Sequence, residues 1–290
     1  MNQTKATRPI GIEAVSTSNS TNEAAIVKAA KTESRDSVNA VIEAVNLGHS
    51  YNTSVGSAEI LGSVEFSVLP GEFVCIVGPS GVGKTTLLRC LSGLQQPTAG
   101  HVAVDGIPLA GPSTAISLVF QDYSRSLLPW LSVIDNVTLP LKGRVSKGER
   151  RARAEKALRE VGLREASNRY PWQLSGGMQQ RVAIARALVF EPRVMLMDEP
   201  FASVDAQTRE TLEDLVLRIR EDQGQAVVLI THDIDEAIYL ADRVIVLGGR
   251  PANVRANLSI PLGSSRTQLQ TKARPEFAEL RAHVHRLIGG

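Results

Sequence analysis

The run Gly78-Pro-Ser-Gly-Val-Gly-Lys84-Thr85 constrains this chain more than any other. Its glycines permit tight backbone turns, so it must be a sharp loop rather than a regular element. Before it stands Glu72-Phe-Val-Cys-Ile-Val77, which reads as a buried strand, and after it Thr86-Leu-Leu-Arg-Cys-Leu91, which reads as a helix. A strand, this loop and a helix in that order fit the G-x-x-x-x-G-K-[ST] phosphate loop at every fixed position. In such a loop the backbone N–H groups from Gly78 through Pro79, Ser80, Gly81, Val82 and Gly83 turn inward toward phosphate oxygens (Pro79, lacking an N–H, only shapes the turn). Lys84 would neutralise the β- and γ-phosphates, Thr85 would offer a hydroxyl to Mg²⁺, and Thr86 can touch the α-phosphate through its backbone. The expectation is a nucleoside triphosphate site.

The second half of that site is Arg193-Val-Met-Leu-Met-Asp198-Glu199-Pro200. An apolar strand delivers Asp198 at its end, where the carboxylate can reach a Mg²⁺-bound water. Glu199, one residue on, would orient or deprotonate the water that attacks the γ-phosphate; adjacent acids after a strand also serve as helix caps. His232, in Leu229-Ile-Thr-His-Asp233, follows another strand on the same expected edge of the sheet. A histidine there can donate to the γ-phosphate or hold the attacking water, although a lone histidine is more often structural. Gln121, directly after the apolar Ile116–Phe120, can be a γ-phosphate or Mg²⁺-water ligand and so sense whether triphosphate is bound.

The 290 residues are 43% hydrophobic and 21% charged, enough for one large domain or two modest ones with a real core. A net charge of +2 is too balanced to argue for nucleic acid, and no aromatic–basic tract is present. Cys75 and Cys90 fall in the strand and helix flanking the loop, as buried hydrophobes in a reducing compartment would, and no zinc spacing exists. No stretch approaches 18 apolar residues, and the start has no signal-like apolar core, so any membrane role is expected through a partner.

Residues 1–36 are rich in Ser, Thr, Asn, Ala and mixed charge and are expected to be a disordered tail, in which Glu23–Ala30 is the stretch a short helix would occupy. Val38–Asn46 and Ala58–Leu69 read as strands separated by a polar loop, and His101–Val104 with Asp105-Gly106 as an edge hairpin. From about 130 to 169 the pattern is helical, with Lys147–Val161 stopping at Gly162. Helices Met178–Val189, Ala206–Glu221 and Asp233–Leu240 then alternate with strands Val194–Met197, Ala226–Ile230 and Val244–Leu247. That alternation predicts a mainly parallel sheet covered on both faces, interrupted by the helical insertion between Phe120 and Ser175. Phe277–Ile288 reads as a last amphipathic helix.

Taken in order, the phosphate loop, Gln121, Leu174-Ser175-Gly176-Gly177-Met178-Gln179-Gln180-Arg181, Asp198-Glu199, Ser203-Val-Asp205 and His232 resemble the ATPase subunit of the ATP-binding cassette (ABC) transporters, over about residues 38–250. The resemblance implies an α/β P-loop NTPase of ABC type: a mainly parallel core sheet, an antiparallel β subdomain and an inserted helical subdomain. The nucleotide-binding core would be 37–121 and 176–262, the helical subdomain with the signature loop 122–175, and a C-terminal helical extension 263–290. It further implies ATP and Mg²⁺ as cofactors, with Thr85, Gln121 and Asp198 around the metal, and a head-to-tail homodimer with two ATP at its interface. Ser175, Gly176, Gly177 and Gln179 would bind the γ-phosphate held by the other subunit. There a hydroxyl, exposed glycine N–H groups and the positive end of a helix form an anion site, and a local helix-cap role for Ser175 is compatible with this. Asp205 would lie on the loop passing between the two sites, and Tyr51 would stack on adenine.

The segment Asp122-Tyr-Ser-Arg-Ser-Leu-Leu-Pro-Trp130-Leu-Ser-Val133 holds apolar residues around a proline, either for local packing or to dock a helix of two membrane-spanning permease subunits through Leu127–Trp130. Together with Val133-x-x-Asn136-Val137, Thr231-His-Asp-Ile-Asp-Glu-Ala237, Leu240 to Pro251 and Arg274-Pro-Glu-Phe-Ala-Glu-Leu-Arg281, it is similar to importers of the nitrate, sulfonate and taurine type. That likeness implies a peripheral ATPase at the cytoplasmic face of the bacterial inner membrane, fed indirectly by an extracytoplasmic solute-binding protein. An exporter or lipid-handling ABC ATPase, or a soluble ABC ATPase, are the alternative classes. The first 36 residues exceed the family pattern, as an extended translation start, an organism-specific tail or a regulatory arm.

Overall fold

The computed structural model describes residues 39–54, 56–122 and 126–289, so the expected disordered tail at 1–36 lies outside the described residues. Among the described residues ten strands form two sheets. The first is antiparallel and four-stranded, in the order β2-β1-β4-β5, from β1 (Ile42–Thr53), β2 (Gly56–Val68), β4 (Ala99–Val104) and β5 (Ile107–Pro108). The second has the order β10-β9-β3-β8-β7-β6, from β3 (Phe73–Val77), β6 (Ile116–Val119), β7 (Val194–Asp198), β8 (Ala226–Ile230), β9 (Arg243–Gly248) and β10 (Asn253–Ser259). All its pairings are parallel except β9 with β10.

The strand β3 shows why the two-sided reading was sound. Side chains alternate across a strand, and all five of its residues are buried. Phe73, Cys75 and Val77 join one hydrophobic cluster with the helices, whereas Val74 and Ile76 join a second with the antiparallel sheet and α1 (Lys84–Leu91). The first cluster takes in α2 (Val133–Thr138), α3 (Lys147–Glu160), α4 (Gly176–Leu188), α5 (Ala206–Gln223), α6 (Ile234–Leu240) and α8 (Pro275–Gly289), while α7 (Gln268–Lys272) is a short helix lying against α6. Helix α4 packs against α2, α3 and β6, and so joins the helical region to the core sheet.

Three local expectations need correction. The polar stretch after Asn46 is not a loop: β1 continues to Thr53, paired with β2 through register shifts near Leu47 and His49. Backbone pairing satisfies those N–H and C=O groups whatever the side chains, and the polar side chains at His49 and Tyr51 find partners of their own. The strand expected over Ile116–Phe120 ends at Val119 and leaves Phe120 exposed. The edge strand β10 was missed, although Val254, Ala256 and Leu258 alternate as a half-buried strand should. The hairpin at Asp105-Gly106 is present, with both residues in the left-handed region that such a tight turn demands. No helix of the described residues is long and apolar enough to cross a membrane.

Candidate active site

Parallel pairing brings the site together. In the order β3-β8-β7-β6, four neighbouring strands end on one edge of the sheet. The phosphate loop follows β3, His232 follows β8, Asp198 and Glu199 end β7, and Gln121 follows β6. Ligands bind at the carboxyl ends of parallel strands because the loops there diverge and helix N-termini face the gap.

Gly83 caps α1 in the left-handed region at φ 113°, where a Cβ would also stand 2.9 Å from Ile60 Cγ2, so glycine is required. Helix α1 has no acidic residue in its first turn and no side-chain cap, which leaves the positive end of its dipole directed at the loop. Lys84 is buried, and its Nζ donates to the carbonyls of Gly78 at 2.8 Å and Pro79 at 3.1 Å. Burial lowers its pKa, opposed by the charges of Glu199 and Asp198. The ammonium is thus held inside the loop by groups that a phosphate oxygen can replace. Asp198 is raised by burial and by its neighbour Glu199, with Arg89 and Lys84 pulling the other way. A cation at this position would draw it back to the ionised form.

Glu199 is the point of convergence. Its backbone is left-handed at φ 41°, and its N–H donates to Ile230 O at 2.8 Å, which turns the side chain off the end of β7. Gln121 Nε2 donates to Glu199 Oε2 at 3.1 Å, and His232 Nδ1 lies 3.1 Å from the same oxygen. A carboxylate accepts only, so this contact places the imidazole hydrogen on Nδ1 and leaves Nε2 for an outside group. The chain therefore gathers Lys84, Gln121, Asp198, Glu199 and His232 at one sheet edge. Tyr51 reaches the same neighbourhood: its hydroxyl donates to Gln95 Oε1 at 3.1 Å and lies 3.4 Å from Thr86 Oγ1, while His49 packs edge-on at 4.7 Å. The Thr86 hydrogen bond is the main cause of its lowered pKa.

The Thr85 hydroxyl, the carboxylate of Asp198 and the amide oxygen of Gln121 are hard oxygen donors of the type Mg²⁺ takes. Among the described residues no group of three or more His, Cys, Asp or Glu is placed to hold a metal ion.

The signature segment stands apart from this group. Ser175 caps α4, accepting from Met178 N–H at 3.3 Å, and Gln179 Nε2 donates to Pro171 O at 3.1 Å and Leu174 O at 3.3 Å. Gln179 thus braces the turn that presents Ser175, Gly176 and Gly177. Among the described residues no hydrogen bond joins this turn to the phosphate loop or to Glu199. It meets α5 instead: a Cβ on Gly177 would fall 2.4 Å from Thr208 Cγ2. Thr208 in turn donates through N at 3.0 Å and Oγ1 at 2.7 Å to Asp205, the cap of α5, and these bonds lower the Asp205 pKa. The signature turn and the Asp205 loop, separate in sequence, form one surface.

The segment around Leu127–Trp130 divides. Leu127 is only 2% exposed and belongs to the core, because its side chain turns inward under α2, whereas Trp130 is 70% exposed. The turn between them is built by Asn136, which the sequence reading quoted only as part of a resemblance. Its buried amide accepts from Leu128 N–H at 2.8 Å and donates to the carbonyls of Leu128, Leu131 and Ser132 at 3.0, 3.1 and 3.1 Å. Thr231 and Glu236, quoted likewise only within a motif or a resemblance, and Arg209, which no sequence signal singled out, lie behind the His232 turn.

The family model described as ABC transporter matches residues 61–202. The nitrate import ATP-binding protein NrtD of Synechococcus elongatus is 44% identical over 242 residues, 82% of this chain and 88% of its own. This chain belongs to the ABC transporter ATP-binding family. The taurine import ATP-binding protein TauB of Chromobacterium violaceum is 46% identical over 230 residues, 77% of this ABC ATPase and 87% of its own length. The dimeric structure of a post-hydrolysis state of the ATP-binding cassette MJ0796 bound to ADP and Pi shares 36% identity, with a TM-score of 0.66 over 76% of this chain and 98% of that one. The fold is the ABC-type P-loop NTPase fold, and this ABC protein is an ATP hydrolase whose turnover is coupled to transport.

Proposed function

We propose that this ATPase powers a membrane importer for a small anion such as nitrate, an alkanesulfonate or taurine, from the cytoplasmic face of the bacterial inner membrane. The observation that carries this reading is the likeness, over four-fifths of the chain, to ATP-binding proteins named for nitrate and taurine import. Two copies close head to tail around two ATP. Lys84, Gln121 and His232 of one copy and Ser175 to Gly177 of the other enclose each γ-phosphate. Tyr51 stacks on adenine. Glu199 aligns the attacking water for in-line displacement, with His232 and Gln121 holding its carboxylate. Thr85, Gln121 and Asp198 would hold Mg²⁺, which would supply charge neutralisation at the β- and γ-phosphates. Loss of the γ-phosphate removes the bridge between copies and lets them part. The turn of the helical subdomain, 122–175, that carries half-buried Leu128 and exposed Pro129 and Trp130 passes that motion to the two permease subunits, which a solute-binding protein loads from outside.

Two experiments test this. Purified with mild detergent from its native membranes, the chain should bring a permease of the binding-protein-dependent type; recovery of soluble partners alone would sink the transporter reading. The Glu199→Gln variant should bind ATP, lose at least about 100-fold in kcat, and run as a dimer with ATP in size-exclusion chromatography. Normal turnover in that variant would remove Glu199 from its role.

A further inference from the structure

The turn that carries His232 is fixed from behind by side chains that the ATP chemistry above does not use. Thr231 and Glu236 are 2% and 4% exposed. The N–H of Asp233 donates to Thr231 Oγ1 at 3.0 Å, which leaves the hydroxyl hydrogen to be donated to Glu236 Oε2 at 2.6 Å. These two bonds close a ring around His232. Its side chain, 65% exposed, is the one left facing outward, toward Glu199. The Asp233 carboxylate caps α6 through the N–H groups of Asp235 at 2.9 Å and Glu236 at 3.2 Å. The turn is also gripped from α5. One nitrogen of Arg209 lies 3.4 Å from Asp233 Oδ2 and another 3.7 Å from Glu236 Oε1. Arg209 sits one turn after Asp205 and donates its N–H to Asp205 O at 2.9 Å. The helix that starts at Asp205 is therefore strapped to the turn that aims His232.

The charged groups facing Glu236 are Asp233 on its own turn and Arg209 and Glu213 on α5; Glu213 is in turn paired with Lys272 of α7 at 3.6 Å. Burial, with Asp233 and Glu213 adding to it, pushes the Glu236 carboxyl up to about 7. Its ionisation opposes folding, so a glutamine of the same shape would serve packing better.

We propose that Thr231 and Glu236 are positioning residues for ATP hydrolysis: they hold His232 against Glu199 and, through Arg209, tie that contact to the Asp205 helix. The inference rests on the roles given to His232 and Glu199 above. Ordinary packing would make substitutions here lower stability and rate together. Positioning separates the two, because His232 acts on the γ-phosphate and not on the adenine or the phosphate loop.

The test uses the full-length chain, with steady-state ATPase kinetics, binding of a fluorescent ATP analogue and thermal unfolding at pH 8. Thr231→Val and Glu236→Gln should each lower kcat about tenfold with KM and nucleotide affinity unchanged. Thr231→Ser, which keeps the hydroxyl, should restore kcat. Glu236→Gln should melt no lower than the parent. Parental kcat in both Thr231→Val and Glu236→Gln overturns the proposal. So does a fall in kcat that comes with equal losses of nucleotide affinity and melting temperature and is not restored by Thr231→Ser. His232→Ala is the control that separates the two levels. If it keeps parental kcat, the role of His232 itself fails; if it does not while Thr231→Val and Glu236→Gln do, only this inference fails.

Discussion

Replacing Glu236 by Gln should stabilise the folded chain at pH 8 and do so far less at pH 5. The carboxyl is raised from 4.5 to about 7, mainly by burial, with the Thr231 hydroxyl and Arg209 offsetting part of that rise. The folded-state value lies above the unfolded one, so the folded chain binds the proton more tightly. The stability this group contributes is fully present below about pH 4.5 and is lost as pH rises through about 7. Each pKa unit is worth about 1.4 kcal/mol, so the ionised carboxylate raises the folded state by roughly 3 kcal/mol at pH 8. Glutamine cannot ionise, keeps the volume and retains an oxygen for the Thr231 hydroxyl. It gives up the Arg209 contact at 3.7 Å, but that attraction is already contained in the net rise to about 7 and so in the figure above. The net expectation is a gain of about 3 kcal/mol at pH 8 and under about 1 kcal/mol at pH 5. Urea unfolding followed by circular dichroism at both pH values measures the difference. A variant no more stable than the parent at pH 8, or one shifted equally at both pH values, would refute the reasoning.

Three further outcomes follow from the packing. Gly177→Ala places a Cβ 2.4 Å from Thr208 Cγ2 and should cost about 1–3 kcal/mol in thermal unfolding. Thr208→Ser removes that methyl and keeps the hydroxyl for Asp205, so the double variant should recover most of the loss, and simple additivity would show that the two residues do not collide. Asn136→Ala strips the Leu128–Ser132 turn of four hydrogen bonds to a buried amide and should cost about 2–3 kcal/mol; amide exchange at Leu128 should speed up, whereas Trp130→Ala should leave stability within about 0.5 kcal/mol. Lys84→Met should weaken ATP binding about 10- to 100-fold by calorimetry, since a charge-assisted contact to phosphate is lost, and an unchanged affinity would contradict its place in the loop.

Much of the site was legible because each piece is local. A phosphate loop needs its glycines, lysine and threonine within one turn of chain, and its strand and helix flank it directly. The carboxylates of Asp198 and Glu199 sit at the end of an apolar run, and Gln121 and His232 follow two more. Alternating apolar strands with amphipathic helices read as a parallel sheet covered on both faces, and β3 buries both of its faces as that pattern requires. Where local pattern and pairing disagreed, as at the polar half of β1, the sequence misled, because a ladder satisfies backbone groups without regard to side-chain polarity.

By itself, then, the sequence determined the phosphate loop, the family's ordered motifs and the two-faced sheet, since all of these are written in spacings of a few residues. Only the tertiary structure decided that β3, β8, β7 and β6 lie side by side, so that residues between 78 and 232 meet at a single edge and Gln121 and His232 close on one oxygen of Glu199. It also decided that Leu127 points into the core while Trp130 points out, that Gly177 lies against Thr208, and that Glu236 sits buried behind His232. Those facts depend on which elements pack together. Strand order, helix rotation and burial are set by the whole core at once, and no short stretch of sequence carries them.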